Sequence, residues 1–330
     1  IRGRGNSSWD VMPKKSYRLE FAEKYEVLGM HANKDWALIA NFADKTYLKN
    51  FITQKLSKWL KMYYTPAAEF VELYINGTYQ GLYQITETVK VDKYRVNIPS
   101  DANFIEKTSA ESQKDDQVCF TSTLKFFFCF KQPKNATDEQ VQKVRTRINN
   151  LENYLYRQEN FSEEELLCRV DLNTFTPYYW IQEFSKNQDG AFWRSIYISW
   201  SGNQPMRWGP VWDFDIAYGT TTDTTEIGPQ DWLTRENGWF KYFFENSLVQ
   251  KQIKDYWQEN KSIFTMLPDT ISHYAKMLAP AIRRDQSVWP TLKSSAYIFF
   301  KDTYNSHEEA VDSLNSWIRE RYQWIDEQYK

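Results

Sequence analysis

The chain lacks any uninterrupted run of about 18 apolar residues, the length a helix needs to span a bilayer, so no transmembrane segment is expected. Cysteine and histidine are scarce. The three cysteines (Cys119, Cys129, Cys168) form no CxxC, and the three histidines (His31, His273, His307) are widely scattered, which argues against zinc. Cys119 and Cys129 can pair or stay as two buried thiols, and the redox compartment is open at this level. A net charge of −2 provides no electrostatic footprint for nucleic acid. The Walker pattern and the full G-x-G-x-x-G are missing, as are internal repeats and low-complexity segments. The chain starts at Ile1 with neither a charged n-region nor an apolar h-region. It reads as a fragment from which any targeting signal has been lost. Five N-x-S/T matches, at Asn6, Asn76, Asn135, Asn160 and Asn260, carry weight only in a eukaryotic secretory host.

What is abundant is aromatic surface: 14 Trp, 22 Tyr and 21 Phe make up 17% of the chain, enough for a large ring-packed core with rings to spare for stacking a flat ligand. With 42% hydrophobic and 25% charged residues the composition is that of a soluble globular protein. At 330 residues, two lobes or one large domain both fit.

Periodicity divides the chain. Residues 1–133 are strand-rich. Tyr17, Leu19 and Phe21 alternate onto one face, and Asn76-Gly77 between two apolar runs is a hairpin signal. Within this part Asp44 reads as the N-cap of a helix from Lys45 to about Lys61. Residues 134–330 are mainly helical, with helices expected near 137–156, 172–186, 246–262, 268–284 and 306–328. The last carries Val311, Leu314, Trp317, Ile318, Tyr322 and Trp324 at helical spacing, a core stripe.

The most informative segment is 186–219. A strand from Ser195 to Trp200, a Ser-Gly-Asn-Gln turn and a returning strand from Met206 to Trp212 form a hairpin, with Asp189 just before it and Asp213 just after. An antiparallel hairpin brings its open ends together, so the two carboxylates should be neighbours. Such a pair can hold a divalent metal, or divide into a base and a metal ligand, as phosphoryl transfer requires. Two solvated loop acids are the competing reading.

The N-terminal Arg2-Gly3-Arg4-Gly5-Asn6-Ser7 combines glycines that admit an anion to the backbone with arginines that fork onto phosphate, or is simply a terminus. The local basic cluster Arg2, Arg4, Lys14, Lys15 and Arg18 suits phosphate better than a duplex. By strand alternation Lys15 shares the inward face of Tyr17, Leu19 and Phe21, and Lys14 should point outward. Glu87 is a candidate counter-charge for that lysine. Glu106 is a second candidate for that role or for metal binding.

IRGRGNSSW, KKSYRLEF, DWALIANFADKTYLKN, FVELYINGTYQGLYQITETVKVDKYRVNI, SKNQDG, GPVWDFDIAYG and LNSWIRERYQWID run in order from end to end. In these blocks the chain resembles the spore coat protein H (CotH) kinase family. The resemblance implies an α+β, two-lobed, atypical protein-kinase-like fold, with ATP held between a β-rich N-lobe (1–133) and a helical C-lobe (134–330). It also implies transfer of the γ-phosphoryl group to Ser or Thr of a protein substrate with Mg²⁺ or Mn²⁺, no nucleic-acid partner, a monomer, and an exported or cell-surface bacterial setting. By position, Asp189 would be the catalytic-loop Asp, Asp213 the metal-binding Asp and Asp215 a reserve ligand. Lys15 would be the phosphate lysine, Arg2, Arg4, Asn6 and Ser7 would line the phosphate loop, and Trp212 or Trp208 would supply a ring near the nucleotide. One departure stands out. Many members carry Asn five positions after the catalytic Asp, where kinases keep a second metal ligand, and here that position is Arg194. The alternative is a catalytically degenerate relative acting as a coat, surface or adhesion protein.

Overall fold

In the computed structural model the described strands form two five-stranded antiparallel sheets. The structure describes residues 1–5, 7–113, 116–157, 162–220, 227–294 and 302–330. Asn6 and Asn160 lie outside them. The first sheet has the order β1-β2-β3-β5-β4 and contains β1 (Arg2–Arg4), β2 (Ser16–Val27), β3 (Met30–Ile39), β4 (Ala68–Ile75) and β5 (Thr78–Glu87). Asn76 and Gly77 both take positive φ at the β4–β5 turn, a conformation that Gly, lacking a Cβ, and Asn adopt more readily than other residues. A short helix, α1 (Ser7–Val11), lies between β1 and β2. Gly3 of β1 is glycine because of packing: a Cβ there would stand 2.4 Å from the Trp9 ring.

The helix expected from Lys45 starts later, as α2 (Lys49–Trp59). Asp44 accepts from the backbone N–H of Thr46 at 2.9 Å and of Lys49 at 2.7 Å, so its carboxylate caps a preceding turn as well as the helix start.

The second sheet, β10-β9-β6-β8-β7, contains β6 (Asn103–Thr108), β7 (Cys119–Thr121), β8 (Phe127–Gln132), β9 (Ile196–Trp200) and β10 (Arg207–Trp208). Its central strand, β6, pairs with β8 on one side and β9 on the other, so this sheet draws strands from both sides of residue 133. Cys119 and Cys129 face each other across β7 and β8 and form a disulfide, resolving the choice left open by the sequence; Cys168 is free and exposed.

The remaining helices are α3 (Asp138–Arg157), α4 (Glu163–Arg169), α5 (Leu172–Ser185), α6 (Gly238–Phe243), α7 (Ser247–Phe264), α8 (Leu267–Val288) and α9 (His307–Gln328). The mixed α+β architecture is as expected; the division of its strands into two antiparallel sheets comes from the structure. The main core joins α2, the second sheet and the helices, and a smaller cluster of Met30, Trp36, Leu38, Ala40, Tyr83 and Ile85 lies on the first sheet. At the centre of the main core is α5, with Phe175, Tyr178, Tyr179, Trp180, Ile181 and Phe184 all fully buried. The helix is buried on every side, polar residues included, and truncating one of these rings to Ala costs about 3–5 kcal/mol. Its rigidity matters because its C-terminal end carries the site. Among the described residues no helix is long and apolar enough to cross a membrane.

Candidate functional site

Helix α5 ends at Lys186, whose φ of 44° turns the chain out of the helix. The next residues form the turn that leads to β9. Gly190 is required in that turn, since a Cβ would fall 1.8 Å from Gln182 Oε1. The turn presents Asp189 to a cavity of about 410 Å³ that is also lined by Arg4, Lys14, Glu106, Arg194, Asp213 and Asp215. The cavity is lined from both sheets, with Arg4 on the edge strand β1, Glu106 on the central strand β6 and the carboxylates on either side of the β9–β10 hairpin.

Asp213 sits at φ 70°, a left-handed conformation that a non-glycine residue holds only when its surroundings enforce it. They do. Asn187 Nδ2 donates to the Asp213 carbonyl at 3.1 Å, and the next N–H, of Phe214, donates to Asn50 Oδ1 on α2 at 2.8 Å. Gln188 Nε2 donates to the carbonyls of Ile216 and Thr220, both at 3.2 Å. Lys49 Nζ donates to the Ala217 carbonyl at 3.0 Å and to the Thr220 hydroxyl. Asn50, Lys49, Asn187 and Gln188 therefore clamp the loop after β10 against the turn before β9. None stands out by residue type; the only sequence signal was the adjacency of Asn-Gln to Asp189.

The acids act on one another electrostatically. Burial pushes the Asp189 carboxyl up to about 7, with the nearby Asp213 carboxylate adding to the shift and Arg194 and Lys107 opposing it. Burial also raises Asp213, against Arg4 and Arg194. Asp215 is pushed well above the ordinary carboxyl range by burial, then by Asp213 and Asp189, with Lys49 opposing. Burial lowers the Arg4 guanidinium, with Asp213 pulling the other way. Glu106 accepts from Tyr197 Oη at 3.1 Å and pairs with Lys131 at 3.2 Å. Arg194 Nε lies 3.1 Å from Asp189 Oδ1.

The chain belongs to the CotH kinase family. The family model described as CotH kinase protein matches residues 1–325, nearly the whole chain. No curated protein gives a significant match.

Several expectations for this CotH kinase-family site change. Lys14, expected to point outward, is buried and lines the cavity; its Nζ donates to Asp285 Oδ1 at 2.7 Å and to the Leu82 carbonyl at 2.6 Å. Lys15 instead donates to the Trp9 carbonyl and lies over the Trp9 ring, away from the cavity lining. The reason is that the cavity lies on the opposite face of this segment from Tyr17: Lys14 and Ser16 line it, whereas Lys15 and Tyr17 both meet the Trp9 ring. Glu87, expected as the counter-charge of that lysine, accepts from Tyr64 Oη at 3.1 Å and from the Ala67 N–H at 3.0 Å, and lies 3.8 Å from Arg95 Nε. Arg2 is exposed, opposite Arg18 in the β1–β2 register. Of the two candidate rings, Trp208 is in the core, while Trp212 lines the cavity with the Arg4 guanidinium 4.8 Å from its centroid. Asn6 lies outside the described residues; Ser7 is in α1.

Among the described residues no group of three or more His, Cys, Asp or Glu side chains is arranged to hold a metal ion. The donor set nevertheless fits Mg²⁺ or Mn²⁺, which take one or two protein carboxylates and complete their shell with phosphate oxygens and water. Mutually repelling Asp213 and Asp215, both raised by burial, are the groups a divalent ion would relieve.

Proposed function

We propose that this chain transfers the γ-phosphoryl group of ATP to a Ser or Thr hydroxyl of a protein, with Mg²⁺ or Mn²⁺. The observation that carries this reading is the arrival of Asp189 and Asp213, from opposite sides of one hairpin, in a single cavity that also holds Arg4 and Lys14. Asp189 acts as the base. The acceptor oxygen bonds to the γ-phosphorus, the bond from that phosphorus to the β–γ bridging oxygen breaks, ADP leaves with that oxygen, and the hydroxyl proton passes to Asp189. A carboxyl raised to about 7 is well matched to accepting a proton near neutral pH.

Arg4 forks onto the phosphates from the side of residues 1–133, while the Lys14 charge is already taken up by Asp285 and serves to fix the cavity wall. Trp212 offers its ring beside them. Asp213, with Asp215 as reserve and Glu106 as a further candidate, would hold the divalent ion, which when bound would neutralise charge on the phosphates. The Cys119–Cys129 disulfide suits an oxidising, exported setting.

A second reading, a catalytically silent coat, surface or adhesion protein, is favoured by the Arg194–Asp189 ion pair, which engages the base. Labelled ATP with Mn²⁺ separates the two. Metal-dependent incorporation into the chain or a Ser/Thr protein, abolished in Asp189→Asn, supports the kinase. A rise in melting temperature with Mn²⁺·ATP but no incorporation leaves the silent reading.

A further inference from the structure

The turn that carries Asp189 also fixes a cation beside it. Arg194 N–H and Trp193 N–H both donate to the Asp189 carbonyl at 2.9 Å, and Lys107 of β6 donates to the Trp193 carbonyl beneath. The next residue, Ser195, takes φ 58°, so the chain turns sharply at the point where Arg194 projects. The Arg194 side chain lines the cavity and keeps 31% of its exposure, against 10% for Asp189. Its Nε lies 3.1 Å from Asp189 Oδ1 as an ion pair without a hydrogen bond, and no hydrogen bond to a described residue engages its two Nη groups. A guanidinium thus stands at the base with half of its donor fork open to the cavity.

In the kinase arrangement, the residue five positions after the base is an Asn that helps hold a second divalent ion. Arginine has no acceptor, cannot lose its proton, and repels a cation. It does what that ion would do for a phosphate, because its planar fork meets two oxygens at once. We propose that Arg194 stands in for the second metal: its Nη groups bind the transferred phosphoryl group while its charge contact with Asp189 keeps the guanidinium at the base, and the chain uses one divalent ion per nucleotide. This rests on the phosphoryl-transfer reading above, and it gives the Arg194–Asp189 ion pair a place in an active site.

The test counts Mn²⁺ bound per molecule of a non-hydrolysable ATP analogue at saturating metal, by the loss of the free-Mn²⁺ paramagnetic signal. The wild type should bind one ion per nucleotide, and so should Arg194→Lys, which keeps the charge. Arg194→Asn should bind two, and with metal held to one equivalent its affinity for the analogue should fall about tenfold, the scale of a charge-assisted hydrogen bond. Two ions in the wild type, or one in Arg194→Asn, overturns the assignment to Arg194 and leaves phosphoryl transfer standing. Failure of the wild type to bind the analogue at all removes both.

Discussion

The Lys14 ammonium lies 2.7 Å from Asp285 Oδ1, with both side chains fully shielded from solvent, and joins the segment before β2 to helix α8. Asp285 also accepts from the Leu82 N–H and Tyr47 Oη, both at 2.7 Å, so one carboxylate ties three separated parts of the chain together. Removing one partner of such a pair leaves an uncompensated buried charge. Lys14→Ala should therefore cost about 3–5 kcal/mol in urea unfolding. Lys15→Ala, at a half-buried position, should cost under about 1 kcal/mol. Equal losses would contradict the burial difference between the two lysines.

Asp189→Asn separates binding from chemistry. The amide is nearly isosteric but cannot take the proton, so the variant should bind Mn²⁺·ATP about as well as wild type yet transfer phosphate at least ~100-fold more slowly. Asp213→Ala should lose metal-dependent nucleotide binding itself. Calorimetric titration beside a turnover assay reads both, and loss of binding in Asp189→Asn would make that residue a metal ligand.

The same carboxyl predicts a pH dependence. Its folded pKa, about 7, is raised from the ordinary 3.8. Between these values the folded chain keeps a proton that the unfolded chain has lost, so this contribution to stability is complete below about pH 4 and is lost as pH rises through 7. The depressed carboxyls of Asp35 and Asp92 act the other way, but their contribution is lost only as pH falls below their ordinary 3.8. The nucleotide-free melting temperature should thus fall from pH 5 to pH 7.5, and Asp189→Asn should flatten the fall. An unchanged slope in the variant would assign the effect elsewhere.

Arg321 on α9 and Glu183 on α5 form a second fully buried pair, at 2.8 Å. Arg321 Nη1 also donates to the carbonyls of Pro229 at 3.0 Å and Asp231 at 2.6 Å, while Glu183 accepts the N–H groups of Leu233 and Arg235, both at 2.9 Å. Arg321→Ala should lower stability by about 3–5 kcal/mol. Arg321→Lys should recover little of that, because a single ammonium cannot reproduce the fork. Recovery to near wild type in thermal or chemical unfolding would show that charge alone suffices.

The sequence by itself determined what depends on local pattern. Alternation and Asn-Gly located β4 and β5, helical spacing located α3, α5 and α7 to α9, and a hairpin between Asp189 and Asp213 was legible, though its second strand is only Arg207–Trp208 and not Met206–Trp212. A hairpin is a short-range object whose geometry follows from its turn, so its consequences are readable in one dimension. The burial of Val311, Leu314 and Ile318 on α9 followed from spacing alone. Arg321 on the same helix carried no such signal, since a charged residue reads as solvated until its partner is known. Only the tertiary structure decided which long-range partners meet. Lys14 was drawn inward because Asp285, 271 positions away, waits there, and Glu87 was claimed by Tyr64 and Arg95 instead of a cleft lysine. The clamp of Asn50, Lys49, Asn187 and Gln188 on the Asp213 loop was equally illegible. Buried polar groups take whichever partner the packing delivers, because leaving one unpaired costs more than any local preference. That choice is made in three dimensions.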